Sequence, residues 1–211
     1  MTTAEAILTG QNATDGFGRL DNQTVVVTGA SSGIGRATAL ELAAAGADVV
    51  VHFAKSGDRA AEVADEIRSM GRQARTVQAD FTNAEQTVGF VESVVATGVT
   101  PDLWFLNAGA DLLTTDLRRA NYSEKLRVLL DVDVRAGVLL AKEICEKLRH
   151  TGGAIVTIGW DQAERGMGGD SGELFALAKN AVMGATRSLA VSYAPNVRVN
   201  CVAPGWIRTA W

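Results

Sequence analysis

Apolar residues alternate along this chain between two rhythms. Short β-branched blocks, bounded by glycine or polar residues, read as buried strands: "TVVVTG" at 24–29, "ADVVVHF" at 47–53, "QARTVQAD" at 73–80, "PDLWFLNAG" at 101–109, "GGAIVTIG" at 152–159 and "NVRVNCVAPG" at 196–205. Between them the period lengthens to that of a helix: "IGRATALELAAAG" ending on Gly46 as a C-terminal cap, "DRAAEVADEIRSMG", "NAEQTVGFVESVVATG", a long region from Tyr122 to Arg149, and "GELFALAKNAVMGATRSLA" at 172–190. Strands that take turns with helices imply parallel crossovers. The expectation is a single α/β domain of doubly wound Rossmann type, a parallel sheet with helices on both faces. It spans residues 20–211, after a polar, mobile tail over 1–19. No internal repeat, low-complexity tract or linker interrupts it.

Composition narrows the function classes. The 211 residues are 47% hydrophobic and 21% charged, enough for one substantial core. A formal net charge of −4 offers no basic field for nucleic acid or an anionic membrane. No apolar run reaches the roughly 20 residues of a membrane span, and the first residues lack the pattern of a signal peptide. Cys145 and Cys201 read as reduced packing residues with no metal spacing, and His52 and His150 have no recognisable metal or nucleophile partner. A soluble, cytoplasmic protein without a metal is expected, with a small molecule as its substrate.

The turn "TGASSGIG" carries the first chemical signal. Gly29 can take positive φ as the chain leaves the first strand, Gly33 lets the backbone approach a pyrophosphate, and Gly35 permits close helix–strand packing. The free N–H groups and positive dipole at the helix start then face an anionic ligand. Its place after a buried strand and before a helix makes the motif specific.

"TGASSGIG" at 28–35, "NAG" at 107–109 and "PGWIRT" at 204–209 together resemble the short-chain dehydrogenase/reductase family, near its 3-oxoacyl-carrier-protein-reductase-like members. The resemblance runs from Leu20 over nearly the whole chain. It implies a dinucleotide held by Gly29, Ser31, Ser32, Gly33, Ile34 and Gly35 in the first turn. Asp80, with Phe81 beside it, is expected at the adenine edge, and Asn107, with Ala108 and Gly109, at the turn and ribose. Lys179 should bond the nicotinamide ribose, while Pro204, Gly205, Ile207 and Thr209 hold the carboxamide end. The family also implies a homodimer or homotetramer, with the helical region from Tyr122 to Arg149 as the dimer face. Leu126, Leu129, Leu130 and Val134 are the apolar positions expected there. Members normally continue past "PGWIRT" with a substrate-covering segment, a helix and a final strand, so the sequence is read as C-terminally incomplete.

Charge speaks to which dinucleotide is bound. In "VVVHFAKSGDR" Phe53 stands where an NAD site usually has an acid for the ribose 2′-hydroxyl. Lys55 and Ser56 follow and can receive a 2′-phosphate. The basic residue expected inside an NADP-type glycine loop is replaced by Ser32, yet NADP is favoured over NAD.

The proton-transfer half departs from the family. Its catalytic set is Asn, Ser, Tyr and Lys: the tyrosine moves the proton, the lysine lowers the tyrosine's pKa, and the serine holds the substrate oxygen. The asparagine belongs to a proton relay. Here Lys179 is retained, but Phe175 occupies the tyrosine position four residues earlier, on the same helix face. The serine position falls at Gly159 or Trp160 in "AIVTIGW", and the asparagine aligns with Asp133 in "LLDVDVRAGVLLAK". A positioned acid–base group contributes about 10²–10⁴ in rate, and a phenyl ring cannot act as one. The loop "WDQAERGMGGDSGE", two residues longer than the family pattern, offers Asp161 as a substitute acid if burial raises its pKa, and Trp160 as a stacking platform. Two readings stand: a reductase of carbonyl or alcohol substrates with a rearranged or weakened site, and a non-catalytic NADP(H)-binding protein acting as a sensor or partner subunit.

Overall fold

All six apolar blocks form strands: β1 Thr24–Val27, β2 Asp48–Phe53, β3 Ala74–Gln78, β4 Leu103–Leu106, β5 Gly153–Ile158 and β6 Val197–Val202. In the computed structural model, which describes residues 18–208, they make one sheet in the order β3-β2-β1-β4-β5-β6, every neighbouring pair parallel. The tail expected over 1–19 lies outside the described residues except for Gly18 and Arg19, and Thr209 lies outside them too. The helices are α1 Gly33–Ala44, α2 Gly57–Ser69, α3 Ala84–Val95, α4 Tyr122–Leu129, α5 Gly137–Leu148 and α6 Asp170–Tyr193. A short 3-10 turn spans Asp116–Arg119, and the seven residues Leu130–Ala136 between α4 and α5 are π-helical.

The consecutive valines of the first two strands follow from burial on both faces, since successive strand side chains point to opposite sides. Val25, Val27, Val49 and Val51 face one layer, packing with Ala39 and Ala43 of α1 and Ala60, Val63 and Ile67 of α2. Val26 and Val50 face the other layer with Trp104 and Ile155. Phe90 and Val94 of α3, Leu140 and Ile144 of α5, and Tyr193 of α6 cover them. Local signals start and stop the helices. The Asn83 side chain accepts the N–H groups of Glu85 and Gln86 ahead of α3, and Asn121 accepts that of Glu124 ahead of α4. Gly46 (φ +108°) ends the first helical stretch as expected.

A third, smaller core lies under the helical region between Tyr122 and Arg149. Leu112, Leu129, Leu174 and Ala178 are buried together, with Leu126, Val134 and Phe175 packed around them. Of the four residues expected on a dimer face, Leu129 is buried in this core, Leu126 and Val134 are half-buried against it, and Leu130 is exposed. The expectation treated the sheet as the sole apolar partner of this helical region. Helix α6 supplies a second one, and the π-helical residues turn Val134 toward it.

This small core seats Phe175 on α6, so its packing bears on the site above. Leu129→Ala, at a position with 0% exposure, is expected to cost about 2–5 kcal/mol. Urea unfolding checks this through a lower midpoint at unchanged slope.

Candidate cofactor-binding and active site

Strands β1 and β4 are neighbours although the chain passes through β2 and β3 between them, so the strand order reverses there and opens a crevice at the strand ends. Hydrogen bonds close the base of that crevice. The Thr28 N–H donates to the Phe105 carbonyl at 2.9 Å, and the Thr28 hydroxyl accepts the N–H groups of Asn107 (2.9 Å) and Ala108 (3.0 Å). The Asn107 amide donates back to the Thr28 carbonyl at 3.0 Å. Gly29 turns the chain with φ +65°. A Cβ at Gly35 would lie 2.2 Å from the Gly29 carbonyl oxygen and 2.7 Å from Asn107 Nδ2, so α1 reaches this turn only with glycine there. Ser32 precedes α1 without spending its side chain on a cap. The first-turn amides of α1 thus carry no side-chain cap, a cradle with the donor chemistry for a pyrophosphate.

On the β2–β3 side, Lys55 and Ser56 are exposed beyond the end of β2, and the Ser56 hydroxyl makes no cap bond to α2. The ring of Phe53 is half-buried over Gly57, whose added Cβ would touch it at 3.4 Å. Asp80 follows β3. Burial works to raise the pKa of its carboxyl, but hydrogen bonds from the Thr82 hydroxyl and N–H and the charge of Lys55 outweigh it and hold it low. Phe81 is turned inward, its ring stacked on His52 at 4.5 Å, and it lines the same small cavity as Thr28, Ala108, Asp133 and Lys179.

His52 sits beneath the turn, 1% exposed. Its Nδ1 accepts the Gly29 N–H at 3.0 Å, which leaves Nε2 to carry the proton and donate to the Ala79 carbonyl at 2.9 Å. Burial holds its pKa down at about 4, against the opposing pull of the Ala79 carbonyl and the Asp80 charge.

The β5–β6 side brings the chemical residues together. Lys179 of α6 lies with Nζ 3.0 Å from Asp133 Oδ1, the two side chains 15% and 1% exposed. Asp133 stands within the π-helical segment, and its other oxygen accepts the Ala110 N–H at 2.8 Å. A Cβ on Gly109 would lie 2.9 Å from Asp133 Oδ1, which shows how tightly the "NAG" strand end approaches the carboxylate. Helix α6 is held to β5 by the Thr157 and Thr186 hydroxyls at 2.8 Å, and to the following loop by the Asn180 amide donating to the Ala163 carbonyl at 2.8 Å. Trp160 stands edge-on to Phe175 with ring centres 6.4 Å apart, and edge-on to Trp206, also at 6.4 Å. Gly159 is buried instead, and a Cβ there would run into Met183 at 2.8 Å and Cys201 Sγ at 2.9 Å. Of the two serine candidates, the one beside Phe175 is Trp160.

The Asp161 N–H donates to the Pro204 carbonyl at 3.2 Å, and a Cβ on Gly205 would lie 3.3 Å from Asp161 Oδ2. The carboxylate accepts a hydrogen bond from Gln162 and is exposed, so its surroundings do not supply the burial a proton-donating carboxyl requires. Ile207 is exposed beyond Trp206. Among the described residues, no group of three or more His, Cys, Asp or Glu could hold a metal ion, and no helix is long and apolar enough to cross a membrane.

The pattern of the short chain dehydrogenase family matches residues 23–211. The chain belongs to that family. It is 37% identical over 194 residues to a 3-oxoacyl-[acyl-carrier-protein] reductase of Synechocystis sp., covering 90% of this chain and 76% of that protein. A short chain dehydrogenase of Burkholderia cenocepacia, solved in complex with NADP, superposes with a TM-score of 0.78 at 36% identity, covering 91% of this chain and 77% of that one. A 3-oxoacyl (acyl-carrier-protein) reductase of Agrobacterium tumefaciens with NADP bound gives 0.81 at 30% identity, covering 92% and 73%.

As a short chain dehydrogenase family member, the chain has the expected parallel sheet between helices and the glycine turn, and adds three features that sequence reasoning missed. His52 was assigned no chemistry, although a lone imidazole in a run of valines was its signal. The direct Lys179–Asp133 contact depends on the π-helical segment, which helical periodicity does not reveal. Trp206 had no signal beyond its place after "PG".

The two states of His52 generate a pH dependence. The unfolded chain takes up its proton near 6.5, whereas the folded protein keeps the ring neutral down to about pH 4. The contribution of His52 to stability is full above pH 6.5 and is lost as pH falls from there toward 4. Melting temperature followed over that window should drop in the unaltered protein, and His52→Asn should flatten the slope.

Proposed function

We propose that this chain is an NADP(H)-binding oxidoreductase of its family whose carbonyl chemistry is slow, because the proton-donating half of its site has been replaced. The observation that carries the reading is the Lys179–Asp133 pair, 3.0 Å apart and nearly excluded from water, on the helix that has Phe175 where a proton donor belongs. The first-turn amides of α1 would hold the pyrophosphate, Asp80 the adenine edge, Lys55 and Ser56 the 2′-phosphate, and Lys179 the nicotinamide ribose. Pro204, Gly205 and Ile207 would line the carboxamide end. A nicotinamide dinucleotide held there supplies or accepts a hydride. Two related structures carry NADP, and nothing acidic stands at Phe53 to favour NAD.

Negative charge that builds on a substrate oxygen needs a donor. Phe175 offers no polar hydrogen there, and Trp160 puts an indole where the serine hydroxyl belongs. Lys179 carries a positive charge, but the Asp133 carboxylate faces it directly, so the field available to acidify a neighbouring hydroxyl is largely cancelled. The edge-on rings of Trp160, Phe175 and Trp206 suit packing against a flat substrate. They equally favour the second reading, a non-catalytic NADP(H)-binding subunit, because they close the space where hydroxyl donors would work.

Cofactor choice is testable by titration. NADPH should bind more tightly than NADH, and Lys55→Ala should narrow the gap by roughly five- to tenfold. Equal affinities in the unaltered protein would remove the charge argument.

Catalysis is testable by a ladder of variants in a stopped-flow assay with NADPH and a ketone panel. The unaltered protein should turn over slowly or not at all. Phe175→Tyr with Trp160→Ser should give a small gain, and adding Asp133→Asn should raise it further by freeing the lysine charge, within the overall limit of about 10²–10⁴ for a restored acid. Fast reduction by the unaltered protein that disappears in Asp161→Asn would instead establish a new acid and sink the weakened-site reading.

A further inference from the structure

The turn between β1 and α1 is held from both sides of the crevice. From the end of β4, Asn107 and Ala108 grip it through Thr28, as described. From β2, His52 takes two successive amides of the turn: its ring Nδ1 accepts the Gly29 N–H at 3.0 Å, and its own carbonyl accepts the Ala30 N–H at 2.9 Å. The same ring reaches in the other direction, Nε2 donating to the Ala79 carbonyl at 2.9 Å. Ala79 immediately precedes Asp80. One rigid plane therefore spans from the turn that faces the phosphates to the strand end that faces the adenine.

Packing leaves this ring no freedom. Phe81 stacks on it with an interplanar angle of 12°, and Phe90 meets it edge-on at 4.8 Å and 70°. Its neutral state is required by its partners, since a protonated Nδ1 would confront the Gly29 N–H with a second donor. Asp80, beyond Ala79, is the charged group whose field reaches the ring; the turn presents backbone amides and α3 presents Phe90.

We infer that His52 is a positioning residue for dinucleotide binding: its ring fixes the orientation of the Gly29 amide in the phosphate-facing turn, and the bond to Ala79 serves only to anchor the ring. Fixing Gly29 inward leaves the later amides, at the start of α1, as the ones aimed at a ligand. The role rests on the proposal that this turn holds a nicotinamide dinucleotide.

A pair of conservative variants separates positioning from packing. An asparagine side chain presents an acceptor near the place of Nδ1, whereas the longer glutamine presents a donor near the place of Nε2. His52→Asn thus keeps the Gly29 bond and loses the one to Ala79, and His52→Gln does the reverse. Each forfeits one buried hydrogen bond, so thermal stabilities should fall by similar amounts. NADPH affinity, by fluorescence titration at neutral pH, should stay within about threefold of the unaltered protein in His52→Asn. It should weaken by roughly tenfold in His52→Gln and His52→Leu. Affinities that track melting temperature instead, or that do not differ between the Asn and Gln variants, overturn the assignment. An unaltered protein that binds no NADPH overturns the cofactor reading and this one with it. Normal binding by both the unaltered protein and His52→Gln overturns this one alone. The unaltered protein also provides a check that needs no variant to fold. It has two histidines, so imidazole ¹⁵N resonances at neutral pH are readily assigned. An unprotonated, hydrogen-bonded Nδ1 on the buried ring is expected, and its resonance should move when NADPH binds. A protonated Nδ1, or no response to bound NADPH, overturns the proposal.

Discussion

The hydrogen bonds that join Thr28 to Asn107 and Ala108 hold the seam on which the rest of the site depends. At this seam β1 and β4 lie side by side while the chain departs from them in opposite directions, toward β2 and β3 on one side and toward β5 and β6 on the other. A parallel sheet needs no loop to hold two such halves together, because the strand ladder already does so. The loops at the strand ends, however, have no ladder of their own. The Thr28 hydroxyl accepts two amides and the Asn107 side chain donates to the Thr28 carbonyl. Together these bonds satisfy backbone groups that the end of the sheet would leave exposed at the bottom of the crevice. Gly35 then allows α1 to seat against the same turn with no side chain between.

From that seam the two halves have different chemical characters. The β2–β3 side is built from polar groups at the strand ends over an aromatic floor of His52, Phe81 and Phe90. It has the basic and hydroxyl groups suited to an anionic nucleotide. The β5–β6 side has aromatic rings at its mouth and a buried ion pair behind them. A buried charge is tolerated only when paired and hydrogen-bonded. Asp133 meets both conditions, with Lys179 on one oxygen and the Ala110 amide on the other.

Most of the architecture was legible in the sequence because parallel strands buried on both faces leave a strong signal. Three valines in a row at 25–27 and again at 49–51 are difficult to place elsewhere. The glycine turn was legible for a steric reason, since Gly29 and Gly35 are needed to bring strand, helix and Asn107 together. The π-helical residues Leu130–Ala136 were not, because their apolar spacing differs little from that of an α-helix. That is why Asp133 was aligned with an asparagine without its pairing to Lys179 being foreseen. Gly159 and Trp160 were equivalent in the sequence. The space left by Met183 and Cys201 separates them, and that space exists only after β6 and α6 have packed.

The ion pair also changes what the presence of Lys179 means. In a site with a tyrosine partner, a lysine at this place has a chemical reason to be there. Here Asp133 gives it a structural one: with a carboxylate 1% exposed, removing the lysine would leave a buried charge without a counter-charge, at a cost on the order of 3–5 kcal/mol. A fold of ordinary marginal stability does not readily lose that much. Lys179 is therefore required whether or not the chain transfers a hydride, and its retention is no measure of activity. Phe175, one turn away on the same helix, is held in the same way: its ring packs against the small core of Leu112, Leu129, Leu174 and Ala178, so the fold has a use for it apart from any chemistry.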